Sequence, residues 1–198
     1  MCYNPEVSLA TFIFGCISAI ILYKLNLVKN TIIIILLSFT FIQFIEFITW
    51  TYYNNSIVNY YTSILAFITI IIQMILLQVF LLKPKLKFLS LISFVFFILL
   101  FIFIQLPKVN FSMSRGKNKH LIWHWLDLPI IWIIIGLFYY LLPTYYNKFS
   151  NIYIFIFTLV TVIISLYFYY NYKTWGSMWC YISNIGWFLL IIYSLKLF

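Results

Sequence analysis

Long apolar segments, most of them about 20 residues long, follow one another along the chain with short polar or basic breaks between them. Hydrophobic residues make up 66% of the 198 residues and charged residues only 8%, whereas about a quarter of a typical soluble domain is charged. A helix of about 20 apolar residues crosses the hydrocarbon core of a bilayer. Because lipid offers no partners for backbone groups, continuous apolar runs favour helices over strands. The sequence therefore predicts an all-α, multi-pass integral membrane protein.

Seven helices are predicted, and they form a single transmembrane domain over residues 1–198. Asparagines, lysines and prolines mark the breaks, as in Lys83-Pro84-Lys85. Six spans are the main alternative, because the first run is short and the fifth opens with polar residues. The predicted spans are residues 7–24, 31–52, 58–82, 88–106, 120–142, 150–170 and 177–197.

The basic residues lie between the apolar runs, so the net charge of +9 indicates membrane topology and contact with lipid headgroups. No nucleic-acid partner is predicted. The early loops carry five basic residues on one side and none on the other, which predicts an outside N-terminus and a cytoplasmic C-terminus. The predicted cytoplasmic side carries Lys24, Lys29, Lys83, Lys85, Lys87, Lys148 and Lys196, and the other side carries Lys108, Arg115, Lys117, Lys119 and Lys173.

The longest connection, residues 107–119, places four basic residues on the predicted outer face, where basic residues are normally scarce. Such a loop is typical of a site for an anionic ligand or a lipid headgroup, with Arg115 and Lys117 as candidate binding residues. The alternative is a solvated loop in a lysine-rich chain.

Glu46 is the only acidic residue deep inside a predicted span. A carboxylate at that depth costs a few kcal/mol or more, so its surroundings must compensate. Its partner could be a loop lysine or Arg115, a histidine of the fifth span, or a proton. A purely structural hydrogen bond between helices is the alternative.

Most of the ionisable groups of the spans fall in the predicted outer half of the bundle. This one-sided distribution predicts a polar pocket that is open to the outside and binds or passes a small polar ligand, a lipid headgroup or a proton. Packing of polar and small residues between helices is the alternative. The candidate residues are Asn4, Glu6, Gln43, Glu46, Trp50, His120, His124, Asp127, Cys180 and Asn184.

The densest polar segment contains His120, His124 and Asp127. In a helix these three residues would share one face. They could then bind a metal such as zinc, with Glu46 as a fourth ligand, or relay protons. Alternatively, the histidines cap the helix and pair with Asp127. No other cofactor is predicted.

The three cysteines, Cys2, Cys16 and Cys180, have no metal-binding spacing. Cys16 lies within the first apolar run and is predicted to be a packing residue. A Cys2–Cys180 disulfide stays open.

Four segments resemble a family of uncharacterised multi-pass membrane proteins of large DNA viruses and some microbial eukaryotes. The resemblance implies no known activity. It marks Asn4, Glu6, Gln43, Glu46, Trp50, His120, Trp123 and Trp179 as residues to test. The segments are residues 2–12, Gln43-Phe44-Ile45-Glu46-Phe47-Ile48-Thr49-Trp50, His120-Leu121-Ile122-Trp123 and Gly176-Ser177-Met178-Trp179-Cys180.

Cys2-Tyr3-Asn4 and the His120–His124 pair also resemble parts of the seven-helix zinc amide hydrolases of the alkaline ceramidase type. This resemblance implies a metal-dependent hydrolase. The pair lies in the fifth span rather than the last, however, and the chain has no third histidine. A non-enzymatic binding protein is therefore the first hypothesis, with a metal-dependent hydrolase and a structural or partner-binding protein as alternatives.

Overall fold

The computed structural model describes residues 4–147 and 152–195, and over this part of the chain it confirms the all-α prediction. Eight helical segments form a bundle, and a two-stranded hairpin lies between the fourth and the fifth. The segments are α1 Pro5–Lys24, α2 Asn30–Thr51, α3 Ser56–Leu81, α4 Pro84–Ile104, α5 Ile130–Tyr145, α6 Ile152–Tyr169, α7 Trp175–Ser183 and α8 Ile185–Leu195. The hairpin strands are β1 Met113–Arg115 and β2 Leu121–Trp123.

Six helices are long and apolar enough to cross a membrane, and they correspond to α1, α2, α3, α4, α6 and the continuous path Trp175–Ile192 through α7 and α8. These helices are compatible with an integral membrane protein. The outer surface is largely apolar, with exposed side chains such as Phe88, Phe103 and Tyr167, as expected for a surface that faces lipid. The 16-residue α5 is shorter and measures about 24 Å.

Helix starts follow from local capping. Asn4 accepts a hydrogen bond from the backbone N–H of Val7 at 2.9 Å, and Pro5 occupies the first turn of α1. Asn55 caps α3 in the same way, through bonds of 3.1 Å from the N–H groups of Ile57 and Val58. These side chains satisfy backbone donors that have no partner within the helix, so the predicted breaks at these places hold.

The predicted fifth helix is wrong in its first third, because residues 121–123 form a β-strand. Met113 pairs with Trp123 and Arg115 with Leu121 in antiparallel register. A 3₁₀ turn follows at His124–Leu126, and α5 begins only at Ile130. Pro129 explains the late start, since a proline disfavours helical backbone in the residue before it. The aromatic residues here also favour strands.

A tight turn connects the two strands. The N–H of Gly116 donates to the carbonyl of His120 at 2.8 Å, and the N–H of Lys119 donates to the carbonyl of Gly116 at 2.9 Å. Lys119 has a φ of 66°, in the left-handed region, which a turn followed by a bulge requires at this position. The turn therefore sets the register of the hairpin.

The predicted seventh helix, residues 177–197, is interrupted within the described part of the chain. It begins at Trp175, and α7 gives way to α8 at Asn184. The N–H of Trp187 donates to the carbonyl of Asn184 at 3.2 Å, a local three-residue step. The interruption places the Asn184 side chain inside the bundle, where it is 4% exposed.

The bundle has two distinct ends, and the end that carries the hairpin is here named the hairpin end. The bridge between Leu82 and Asn147 marks the opposite end. Each end carries five described basic residues, as the predicted topology requires, while Lys148 and Lys196 lie outside the described residues. This balance does not choose a direction, so the outside N-terminus stays a prediction.

Candidate functional site

The hairpin is attached to α3 by a two-bond bracket. The Asn59 side chain accepts a hydrogen bond from the N–H of Met113 and donates one to its carbonyl, both at 2.8 Å. The amide thus imitates a neighbouring strand, and it fixes β1 to the first turns of α3. This bracket holds the hairpin against the ends of the helices.

Four hairpin side chains point into the bundle and form what we name the hairpin plug: Met113, Leu121, Trp123 and Trp125. Each of them is at most 3% exposed. The two indole rings stack with their centroids 5.1 Å apart. The plug packs on Ile42 and Ile45 of α2, Ala66 of α3 and Cys180 of α7, so it closes the bundle interior at the hairpin end.

Glu46 lies on α2 beneath the plug and has no solvent-accessible surface. Gln43 and Thr49, one turn to either side, are also fully buried. The Thr49 hydroxyl donates to the carbonyl of Ile45 at 2.9 Å and lies 3.7 Å from the sulfur of Met113. The polar face of α2 therefore runs directly up to the plug.

Cys180 of α7 is the polar neighbour of Glu46 across the helix interface, because the charge of Glu46 acts on the Cys180 thiol. Cys180 also interacts electrostatically with Tyr140 of α5. The Tyr140 hydroxyl in turn donates to Oε1 of Gln73 on α3 at 2.7 Å. Four helices thus contribute to one buried polar group, which consists of Gln43, Glu46, Thr49, Gln73, Tyr140 and Cys180 and is named the polar core below.

A hydrogen-bonded network extends from the polar core toward α1 and α8. The hydroxyl of Thr40 donates to Oδ1 of Asn184 at 2.9 Å and accepts from the indole N–H of Trp187 at 2.7 Å. The amide of Asn184 donates to the carbonyl of Cys180 at 2.8 Å. Every member is buried, so the network joins α2 to both halves of the interrupted last span.

Gly15 allows α1 to approach this network closely. A Cβ atom on Gly15 would lie 2.5 Å from Cγ2 of Thr40 and 3.0 Å from the indole nitrogen of Trp187. Any larger residue would therefore displace side chains that already form hydrogen bonds. Glycine at this position is a packing requirement.

The predicted metal ligands point to separate partners. His120 packs edge-on against Tyr169, with ring centroids 5.4 Å apart. Nε2 of His124 forms a hydrogen bond of 2.7 Å with the Ser114 hydroxyl. Since residues 120–127 are not helical, the shared helical face predicted for His120, His124 and Asp127 is wrong. Over residues 4–147 and 152–195, no group of three His, Cys, Asp or Glu side chains could hold a metal ion.

Asp127 instead forms a surface ion pair with Lys173, with 2.6 Å between Oδ2 and Nζ. Both side chains are more than half exposed. The pair connects the segment before α5 to the loop between α6 and α7, and the Asn118 amide reinforces this link by donating to the Thr174 hydroxyl at 2.8 Å.

His120 is the buried titratable group of the hairpin. It is 2% exposed, and burial lowers its pKa to about 4, because an imidazolium loses more hydration than a neutral imidazole. The ring is therefore neutral at neutral pH. It behaves as a packing group of the hairpin and not as a charged one.

Two predicted residues at the start of α1 lie apart from the polar core. Asn4 and Glu6 are both exposed. The Asn4 side chain caps the helix, and Glu6 lies in the first turn, where an acidic side chain favours the helix dipole. Their local role is to stabilise the start of α1.

Trp50, Arg115 and Lys117 also lie outside the polar core. The half-buried Trp50 stacks on Tyr53 with centroids 5.9 Å apart. The backbone N–H of Arg115 donates to the Tyr53 hydroxyl at 3.0 Å, whereas the side chains of Arg115 and Lys117 are exposed. These residues form the rim of the hairpin.

Trp179 and the plug residue Trp123 belong to the buried interior. The indole N–H of Trp179 donates to the Thr161 hydroxyl at 3.2 Å, and its ring meets Tyr140 edge-on at 4.7 Å. Sequence reasoning missed Thr40, Gln73 and Tyr140 as members of the site. Only Gln73 carried a signal, namely a polar side chain in the middle of an apolar run.

Cys16 and Cys180 carry free thiols, and Cys2 lies outside the described residues. Cys180 is 1% exposed and packs against the plug. Its position near Glu46 is therefore explained by packing and polarity.

No family model, curated protein or solved structure matches this chain. The resemblances to the viral and microbial multi-pass family and to the alkaline ceramidases accordingly stay predictions. The geometry of the polar core and the chemistry of its side chains carry the functional argument.

Proposed function

We propose that this chain is an integral membrane protein whose polar core binds and releases a proton at Glu46. The observation that supports this proposal is the complete burial of Glu46 among polar side chains of several helices. Among small polar ligands, lipid headgroups and protons, only a proton needs no cavity of its own. A carboxyl group with no accessible surface therefore fits a proton best.

The energetic argument concerns the charge of the carboxyl group. An isolated carboxylate in a low-dielectric interior is very costly, whereas a protonated carboxyl that forms hydrogen bonds is tolerated. The neighbouring amide, hydroxyl and thiol groups of Gln43, Thr49 and Cys180 are neutral hydrogen-bonding groups rather than cations. Such a setting favours exchange of a proton over formation of a permanent ion pair.

In the proposed arrangement, the hairpin end faces the outside and the C-terminus lies in the cytoplasm, with seven crossings. The short α5 then crosses with the others, since it leads from the hairpin to the Leu82–Asn147 bridge at the opposite end. Exchange of the proton with the outer solution requires water to pass the hairpin plug. Movement of the hairpin would therefore control the exchange rate.

Infrared spectroscopy can test proton binding cleanly, because the chain contains only three acidic side chains, Glu6, Glu46 and Asp127. A Glu6→Gln/Asp127→Asn double variant retains Glu46 as its sole acidic side chain. Both replaced residues are exposed, so the variant should fold. We expect a carboxyl C=O band that changes with pH in the double variant, in detergent or in nanodiscs.

Adding Glu46→Gln to the double variant is the matched control, and it should remove this band. The isolated C-terminal carboxyl group remains in both proteins and cancels in the comparison. If the spectra with and without Glu46→Gln show the same pH dependence in equally well folded protein, Glu46 does not exchange a proton and the proposal fails.

A further inference from the structure

A second candidate site lies on the other side of the plug, between α3, α4 and α5. It begins as an apolar cavity of about 90 Å³. Its walls include Met74 of α3, Phe101 of α4, Trp132 and Gly136 of α5, and Trp125 of the plug. Glu46 is not part of this lining, so the cavity is distinct from the polar core.

A polar pocket of about 380 Å³ adjoins this cavity at the hairpin end. Trp125 and Leu128 line both spaces. The polar pocket is also lined by Lys108 and Asn110 from the segment after α4, and by His124. An apolar space within the helices thus continues into a polar, basic space where the helices end.

We propose that the two spaces form one binding site for a glycerophospholipid. An acyl chain occupies the apolar cavity beside α4 and α5, and the phosphate group lies at Lys108. The order of the spaces matches that of the lipid, because the apolar part lies at the depth of the spans and the polar part follows directly after Ile104 of α4 and before Ile130 of α5. This site is independent of proton binding at Glu46.

Trp125 supplies an observation that points to a ligand with acceptor oxygens. Its side chain is 2% exposed, and its indole N–H has no hydrogen-bond partner within the described residues. A buried indole N–H normally has an acceptor. The ester carbonyl or the phosphate of a lipid supplies such an acceptor at the wall that both spaces share.

Charge complementarity supports the position of the phosphate. Asp127 lines the same pocket, but its carboxylate is paired with Lys173. Lys108 is exposed at the pocket and forms no ion pair with a described carboxylate. A lysine ammonium near a membrane surface attracts anionic headgroups, and the phosphate is the anion that every glycerophospholipid carries.

The size of the cavity favours a single hydrocarbon chain. It is smaller than the roughly 150 Å³ cavity that holds benzene in an engineered core. A segment of one acyl chain fits such a space, whereas a fused ring system is too wide. Binding of a sterol is therefore an alternative that the experiment must separate.

Gly136 offers a way to fill the cavity without disturbing the helix. A Cβ atom there would meet only the terminal methyl group of Met74, at 3.8 Å. Gly136→Leu should therefore fold and block the acyl chain. Ile134→Leu, at an exposed position of the same helix, is the matched control.

The experiment uses the full chain in nanodiscs that contain a phosphatidylcholine with a photoreactive group in one acyl chain. We expect cross-links on α4 and α5, strong loss of these cross-links in Gly136→Leu, and no loss in Ile134→Leu. Size-exclusion chromatography and circular dichroism check the fold of each variant. Unchanged cross-linking in folded Gly136→Leu would overturn the proposal.

The phosphate is tested by Lys108→Gln, with Lys87→Gln at the opposite end as the control. We expect Lys108→Gln to lower the amount of phospholipid retained after detergent washing about fivefold, and Lys87→Gln to leave it unchanged. A photoreactive diacylglycerol should label weakly, because it has no phosphate. Equal labelling by diacylglycerol, or displacement of the probe by cholesterol alone, would overturn the assignment to a phospholipid.

Discussion

Two helix interfaces of this bundle are equally well buried but are built from opposite materials. Between α2 and the α7–α8 pair, Thr40 and Asn184 form a hydrogen-bonded contact; this interface is named the polar seam. Between α4 and α5, aromatic rings make the contacts, with Phe94 5.0 Å from Tyr139 and Phe97 5.7 Å from Trp132; this interface is named the aromatic seam.

The difference explains why one interface is closed and the other contains a cavity. Hydrogen bonds have short, defined lengths and draw backbones together, and Gly15 brings α1 close to the same atoms. Rings contact one another at several angles and leave gaps where their edges meet. The polar seam therefore positions a single group, Glu46, while the aromatic seam is suited to a flexible chain.

The largest contrast is expected from adding one methyl group to each seam. Gly15→Ala should destabilise the protein by about 1–3 kcal/mol, because the methyl group overpacks Thr40. Gly136→Ala, beside the aromatic seam, should be neutral or stabilise α5 by up to about 1 kcal/mol through helix propensity. Thermal unfolding of both variants in the same detergent measures the difference, and equal shifts would remove the distinction between the seams.

Acid should weaken the hairpin through His120. Burial lowers the pKa of His120 to about 4 in the folded protein, whereas an unfolded histidine titrates near 6.5. Between these values the unfolded chain binds a proton that the folded chain does not bind, so stability falls as the pH drops from about 6.5 to about 4 and then levels off. At pH 5 the loss should be about 2 kcal/mol.

The control for this pH dependence is His124→Gln, which removes the half-buried histidine of the same segment. Unfolding curves at pH 7 and pH 5 should show the acid effect in the wild type and in His124→Gln, and a much smaller effect in His120→Gln. An unchanged acid effect in His120→Gln would assign the titration to another group.

Single hydrogen bonds should matter more in the polar seam than next to the aromatic seam. Thr40→Val keeps the side-chain shape but removes a bond to Asn184 and one from Trp187, at an expected cost of about 1–2 kcal/mol. Ser90→Ala on α4 removes a single bond to Gln78 and should cost about 0.6 kcal/mol.

A double-mutant cycle identifies the cause of the Thr40 effect. If the shared hydrogen bond is responsible, Thr40→Val should cost less in a Trp187→Phe background than in the wild type. Strictly additive losses would show that the two residues are not energetically coupled.

The smallest effect is expected at the surface ion pair between Asp127 and Lys173. Asp127→Asn should cost less than about 1 kcal/mol, because exposed pairs are weak, and added salt should remove the difference. Denaturation at low and high ionic strength checks this. A large, salt-independent loss would mean that the pair fixes the hairpin more strongly than its exposure implies.

Much of the helix architecture could be predicted from the sequence. Residue runs that cross the bundle are apolar throughout, and Asn4, Asn55 and Pro84 mark helix starts by local chemistry alone. The hairpin was missed because His120, His124 and Asp127 have helical spacing, and this pattern was preferred over two local signals, the strand-forming residues Leu121–Trp123 and Pro129. A short strand next to long apolar helices has little sequence signal of its own.

The site was predictable only in part. The burial of Glu46 followed from its place within an apolar run, but its neighbours depend on how α2 and α7 rotate about their axes. Tyr140 could not be distinguished from the many other tyrosines, since only the packed bundle shows that its hydroxyl meets Gln73. The predicted gathering of histidines around Glu46 required a helix that residues 120–127 do not form.

The reactivity of Cys180 tests most directly whether the hairpin plug closes the polar core. The experiment uses a Cys2→Ser/Cys16→Ser variant in nanodiscs and a small charged methanethiosulfonate reagent that reaches both faces. Cys180 should stay unlabelled, and Trp123→Ala in the plug should make it reactive, with Asn54→Cys as an exposed reference. Labelling of Cys180 at the rate of the exposed cysteine, with the plug intact, would contradict the account.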